Sequence, residues 1–287
     1  MQNKRLAFIA LLLAGVFWGA GFPLGKVALR EIDAAHMILL RLAFAGLAAL
    51  PFALRRPQAR ALFRAPVVLI SGALYGVAFL VQFEGLARID VSLAALLVGA
   101  MPALIAIAAR IMGEPVSRLS WIGVIAASAG AALGVALSLT ALLLFLAWII
   151  ISRRAPKPPT NMAMPAATVI VAAAAILPVS FVLHGAPPLH LSAGAWAAIA
   201  AQGVFCTFLA TAGWQFAAPR VGNATAGVFV NIEPLIGAVL GVSLFGDRLT
   251  LPLVLGGLLI ITGSVVVVLG EKGTLAPDLT EPPATPA

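Results

Sequence analysis

Charge is scarce in this chain. Only 10% of its 287 residues are Asp, Glu, Lys or Arg, and that excludes a water-soluble surface, which needs far more charge than this. A single cysteine, Cys206, excludes disulfides and cysteine-based metal centres. The three histidines, His36, His184 and His190, are scattered, and no DxxxD or HxxxH spacing occurs. A membrane-embedded transferase would need such clusters as metal ligands or as acid and base, so no catalytic residue and no bound metal is expected. A glycine-rich phosphate loop is missing as well, which argues against ATP hydrolysis by this chain; no cofactor is expected. A soluble input domain, as a sensor would carry, is likewise missing.

What is present is apolar. Hydrophobic residues make up 62% of the chain, and the mean hydropathy is +1.10. A helix needs roughly 20 apolar residues to cross a hydrocarbon layer about 30 Å thick. Such runs recur almost throughout, and their faces do not alternate in the period of two that a membrane barrel requires. Gly, Pro and charge divide them into ten predicted spans. Five lie near Leu6–Leu24, Ala34–Leu54, Pro66–Ala87, Val91–Arg110 and Leu119–Val135. Five more lie near Leu139–Ser152, Ala166–Leu183, Ala195–Phe216, Asn223–Phe245 and Leu251–Leu269, with a tight turn at Ala136–Ser138 between spans five and six. The expected fold is therefore an all-α membrane protein of ten helices.

Charge placement sets the expected orientation, because short loops rich in Lys and Arg stay in the cytoplasm. Thirteen of the 18 Lys and Arg fall at the end that holds the N-terminus, while Lys26, Arg30, Arg88 and Arg248 fall at the other and Arg41 lies within a span. Both termini are thus expected in the cytoplasm. The net charge of +8 reads as topology, with no nucleic acid as partner. Lys4 and Arg5 precede an apolar run that continues through Trp18 without a convincing cleavage site, so it is expected to be retained as the first span. From Glu271 the chain turns to Pro, Thr, Ala and acidic residues, a composition expected to form a disordered cytoplasmic tail.

The chain also repeats itself. An offset of 132 residues superposes Arg88 on Arg220 and Pro102 on Pro234. An offset of 133 superposes Gly113 on Gly246, Glu114 on Asp247, Gly123 on Gly256 and Gly130 on Gly263. The expected units are a first five-helix repeat over 1–136 and a second over 137–270. With an odd number of spans in each, the second enters the membrane inverted, a plan typical of secondary transporters, whose sites lie near the midplane between the repeats.

At these residues the chain resembles a known family. Gly15–Lys26, GVFWGAGFPLGK, is similar to the first-helix signature of the drug/metabolite transporter superfamily in its EamA branch. Arg41 stands where that family often has Arg in helix two, and Trp148 before Arg153 and Arg154 resembles its helix six. MPALIAIAARIMGEPVS from Met101 and IEPLIGAVLGVSLFGDRLT from Ile232 resemble its helices four and nine. The chain departs from the family in a short connection between spans five and six and a sixth span that looks cut back. The resemblance implies ten helices around a central cavity that move small metabolites such as amino acids, often outward, by alternating access. Multidrug or cation efflux by the same superfamily is the runner-up. A membrane-embedded enzyme and a channel are the rivals from other classes.

Ionisable groups within spans are costly, which makes them site candidates. Lys26, Arg41 and Glu84 are placed toward the outer ends of spans one to three, where Lys26 and Arg41 could instead snorkel and Glu84 could pair with either of them. Glu233 is placed deepest, in span nine, where it could couple protons, bind a cation or simply tie helices together. Pro102 and Pro234 would free the carbonyls of Val98 and Val230 and open their helices near the midplane. Trp18, Tyr75, Trp148, Gln202, Gln215 and Asn231 are candidates to line a cavity, against the alternatives of interfacial anchors and interhelical bonds. Trp214 and Gln215 are read as anchors. Small residues from Gly123 and Gly256 suggest close packing within a monomer or a homodimer; the lipid bilayer and a small-molecule substrate are the other expected partners.

Overall fold

Backbone buried in lipid must satisfy its own hydrogen bonds, and every regular element among the described residues is a helix. The computed structural model describes residues 2–99, 101, 132–152, 154–158, 160–221, 226, 229–251, 254–258 and 262. Helix α1 spans Gln2–Ala28 and α2 spans Ala34–Leu54, the latter started by Asp33, whose side chain accepts from the His36 amide. A short α3 (Pro57–Ala61) and a 3-10 turn (Leu62–Arg64) lead to α4 (Pro66–Leu86), which begins on a proline, the residue that tolerates a first turn best. Then come α5 (Val91–Val98), α6 (Ala132–Ser152) and α7 (Ala163–His184). The next span is one continuous run of three parts: α8 (Ala193–Ala201), a π-helical segment (Gln202–Leu209) and α9 (Ala210–Val221). Helix α10 (Ile232–Phe245) ends at Gly246, held at φ +70°, a left-handed conformation suited to glycine.

Six helices among the described residues are long and apolar enough to cross a membrane, and α10 is a shorter apolar helix. The predicted turn at Ala136–Ser138 is not there. Those residues lie inside α6, because Ala-Leu-Ser between two apolar runs offers nothing that breaks a helix, so the sixth span is 21 residues long and not cut back. Helix α5 and residues 254–258 are helical pieces of predicted spans four and ten; most of those spans, the fifth span up to Ala131, Pro102 and the tail from Glu271 lie outside the described residues.

The halves interlock. Helix α4 packs along α6, and α1 packs along α8–α9; α2 packs on α7, and α5 on α10. Exchanging the two repeats maps span three against six onto span eight against one, and leaves the two remaining pairs unchanged. The closest approaches repeat in the same way. A Cβ on Gly72 of α4 would meet the Thr168 carbonyl and the Val171 side chain of α7, and one on Gly203 would meet the Arg41 carbonyl and the Phe44 side chain of α2. Only glycine admits a backbone this close. On α1, Gly15 and Gly19 serve the same end against α10, with a Cβ at Gly19 falling 2.7 Å from the Glu233 carbonyl.

Candidate functional site

Arg41 is the organising residue. It sits in the N-terminal half of α2, only 2% exposed, on the face that α2 turns to the π-segment. Its Nε donates to Thr207 Oγ1 at 2.6 Å and its Nη1 to Gln202 Oε1 at 3.1 Å. The guanidinium lies over the rings of Phe79 and Phe83 of α4, 4.1 and 4.8 Å from their centroids. Local sequence explains the grip: Gly203 lets α2 approach, and the widened π-turn, closed by Thr207 Oγ1 donating to the Gln202 carbonyl at 2.8 Å, presents both partners to one fork. Among the described residues Arg41 has no carboxylate within ion-pair distance.

Arg41 and Glu233 line the same small void, together with Trp18, Phe22, Gln82 and Phe83. The room inside is about 10 Å³ of water-sized space, enough for about one water and no metabolite. Glu233 is 9% exposed near the start of α10, where the helical residues Phe229 and Val230 give way to a turn at Asn231 before the helix resumes; Pro234 follows, buried. Asn231 is also buried.

Behind Phe79 stands an aromatic cluster. Tyr75 packs against Phe79 and Trp148 with centroids 4.8 and 4.7 Å away, and its hydroxyl shares a 2.6 Å hydrogen bond with Thr211. Trp148 is buried and its Nε1 has no acceptor among the described residues. Trp18 meets Trp214 at 5.7 Å, so Trp214, expected as an interfacial anchor, packs instead against a wall residue of the void.

Two candidates fall elsewhere. Lys26 Nζ donates to the Leu86 and Ile89 carbonyls at 2.8 Å each and so caps the end of α4. Glu84 pairs neither with Lys26 nor with Arg41: its partner is Arg88, one helical turn on, at 2.5 Å. That is the ordinary spacing for an i, i+4 pair and is worth little on a half-exposed surface. Arg41, placed by sequence where it could snorkel, stays inside. Sequence reading missed Phe79, Gln82 and Phe83, yet they continue the stripe begun by Tyr75 at steps of three and four residues, and that spacing was the available signal.

The model of the EamA-like transporter family matches residues 5–136 and again 132–269. The chain belongs to that family. A two-copy match accounts for the interlocked halves of this transporter, and it also sets its broad class: a multi-pass membrane transporter of the drug/metabolite superfamily. The chain is similar to a solved structure, a crystal structure of a protein matched with a TM-score of 0.67 at 18% identity over 96% of this chain and 99% of that one. At that identity the likeness speaks to the fold alone. No curated protein matches the chain.

Proposed function

We propose that this transporter moves small metabolites that carry a carboxylate, amino acids foremost, by alternating access. One observation carries the reading. Arg41 is a charged group buried at membrane depth, and it has hydrogen bonds and aromatic faces but no carboxylate partner among the described residues. Buried charges are normally paired, and here the cavity that Arg41 lines also holds Glu233, so one wall offers a cation and another an acid. A zwitterion fits both, its carboxylate on Arg41 and its ammonium on Glu233. The void has no space for it, so the helices must part to admit it and close again to occlude it. Trp18 and Gln82 are the other wall residues with polar side-chain atoms, beside the apolar Phe22, Phe79 and Phe83, and Tyr75, itself packed on Trp148, supports Phe79.

The charge asymmetry supports a bacterial inner membrane location with both termini in the cytoplasm, the repeat offsets support division into 1–136 and 137–270, and the resemblance to the family supports export. Purified protein in liposomes tests the substrate class. A labelled amino acid should be transported and should be displaced by free amino acids but not by their amides or decarboxylated amines. Transport of lipophilic cations with no preference for a carboxylate would overturn the proposal in favour of cation efflux. A cytoplasm-active reporter fused after Leu269 should be active; activity of a periplasm-specific reporter there would overturn the orientation.

A further inference from the structure

A second cavity shares no lining residue with the central void. It is a cleft of about 820 Å³ at the N-terminal end of the bundle, between α1, the last turn of α2, the start of α7 and α9. Its floor is made of small residues, Ala10, Ala14, Ala212 and Gly213, where α1 and α9 come close enough that a Cβ on Gly213 would stand 3.1 Å from the Ala10 carbonyl. Its flanks are large and apolar, and they stay open to the outside: Leu6, Leu13, Phe52 and Leu209 are 52, 45, 36 and 36% exposed. From Leu6 to Phe17 the cleft follows α1 for about 16 Å, at roughly 1.5 Å per residue, which is about half the thickness of a hydrocarbon core. Its mouth is polar and basic, formed by Arg55, Arg56, Thr160 and Asn161. Both arginines are exposed, and neither makes an ion pair among the described residues.

We propose that this cleft is a binding site for one anionic phospholipid of the adjoining leaflet. Apolar walls one leaflet deep accept an acyl chain, and two unpartnered guanidiniums at headgroup level accept a phosphate, to which the arginine fork is matched. Arg55 and Arg56 hold the headgroup, Thr160 and Asn161 bound it, and Leu13, Phe17, Leu209 and Phe216 flank the chain. The bound lipid lies in the groove over the α1–α9 contact, against the two helices that carry Trp18 and Trp214, so it stands against the elements that must move to open the central void.

The full chain, delipidated in detergent, is titrated with phosphatidylglycerol and with phosphatidylcholine, and bound lipid is read by native mass spectrometry. The expected result is one phosphatidylglycerol retained about tenfold more strongly than phosphatidylcholine, with that preference lost in the R55Q/R56Q double variant. A second double variant, R60Q/R64Q, removes two exposed cations at the same end that do not line the cleft, and it should keep the preference. Equal retention of the two lipids, a preference that survives in R55Q/R56Q, or an equal loss in R60Q/R64Q would each overturn the proposal. Binding is measured without transport, so its failure leaves the proposed substrate class untouched.

Discussion

Replacing Arg41 with Met separates a transport role for the guanidinium from a merely structural one. The substitution removes hydrogen bonds of 2.6 and 3.1 Å and two cation–π contacts. Side-chain hydrogen bonds inside membrane proteins are worth about 0.6 to 1.7 kcal/mol each, and an aromatic face over a cation about 1 kcal/mol, so about 3 to 5 kcal/mol is lost. Against that stands the cost of holding a guanidinium in a span, about 2.5 to 3.5 kcal/mol on an insertion scale, which methionine avoids. The two nearly cancel. Arg41→Met should therefore unfold within about 2 kcal/mol of the parent, while kcat/KM for the labelled amino acid falls by at least about a hundredfold, since leaving a buried substrate carboxylate unpaired costs about 3 kcal/mol or more. Arg41→Lys keeps the charge but loses the fork that reaches Thr207 and Gln202 together, and it should retain partial transport with a raised KM. A stably folded Arg41→Met that transports at the parent rate and KM would refute the reasoning.

Further outcomes are expected around the same frame. Glu233→Gln keeps size and hydrogen bonding while removing titration; if Glu233 couples protons, gradient-driven accumulation in proteoliposomes is lost while exchange down a gradient persists, and full pH-dependent accumulation removes the residue from the mechanism. Gly19→Leu drives a side chain into the Glu233 carbonyl and Ile236, so the yield of folded, monodisperse protein should drop sharply, by an overpacking cost of about 1 to 3 kcal/mol or more; unchanged yield and melting would count against the close α1–α10 contact. At the end of the bundle opposite the N-terminus, Ser192 donates its hydroxyl and amide to Glu31 at 2.6 and 2.7 Å, while His36 donates to Asp33 at 2.6 Å and contacts the Gly185 carbonyl at 3.0 Å. The Ser192 hydroxyl and then its amide hold the Glu31 carboxyl below its usual value; burial pushes Asp33 up, but the bonds and charge of His36, helped by His184, outweigh it and leave Asp33 low. Depressed carboxyl values mean that the part of this clasp contributed by Glu31 and Asp33 is present above the ordinary carboxylate range and is lost as pH falls below about 4, so hydrogen exchange over 185–192, corrected for its intrinsic pH dependence, should quicken there.

Much of the scaffold was legible because its punctuation is chemical. Ala34–Leu54 matches its predicted bounds because Asp33 caps it, and α4 starts at Pro66 because proline suits a first turn. Apolar length alone located α1, α7 and the run from Ala193 to Val221 to within a few residues at most ends. Where no such signal exists the reading failed: nothing local distinguishes Ala136–Ser138 as turn from the same residues as helix. The turn at Asn231, by contrast, stands three residues before Pro234, the proline expected to open that helix. Within the site, residue type singled out Arg41 and Glu233, since charge in a span is visible by itself. Their shared void was not, because pairing across the repeats depends on distances that no local pattern encodes. Glu84 shows the converse error, a partner sought on other helices when Arg88 stood one turn away.

The π-segment has a genealogical consequence. Gly72 and Gly203 occupy equivalent contacts at an offset of 131 residues, yet Arg88 and Arg220, farther along the same two spans, correspond at 132. The second copy therefore holds one residue more than the first between these landmarks, and the π-turn lies in that stretch, where its wider turn accommodates an extra residue without breaking the helix. The two approaches are unequal: the π-segment presents Thr207 and Gln202 to Arg41 of α2, while the approach of α4 to α7 carries Thr168, whose hydroxyl is spent on the Met164 carbonyl of its own helix. The void lined by Arg41 and Glu233 is therefore unlike on its two sides, and a cargo with unlike ends, as proposed above, meets a different group at each wall.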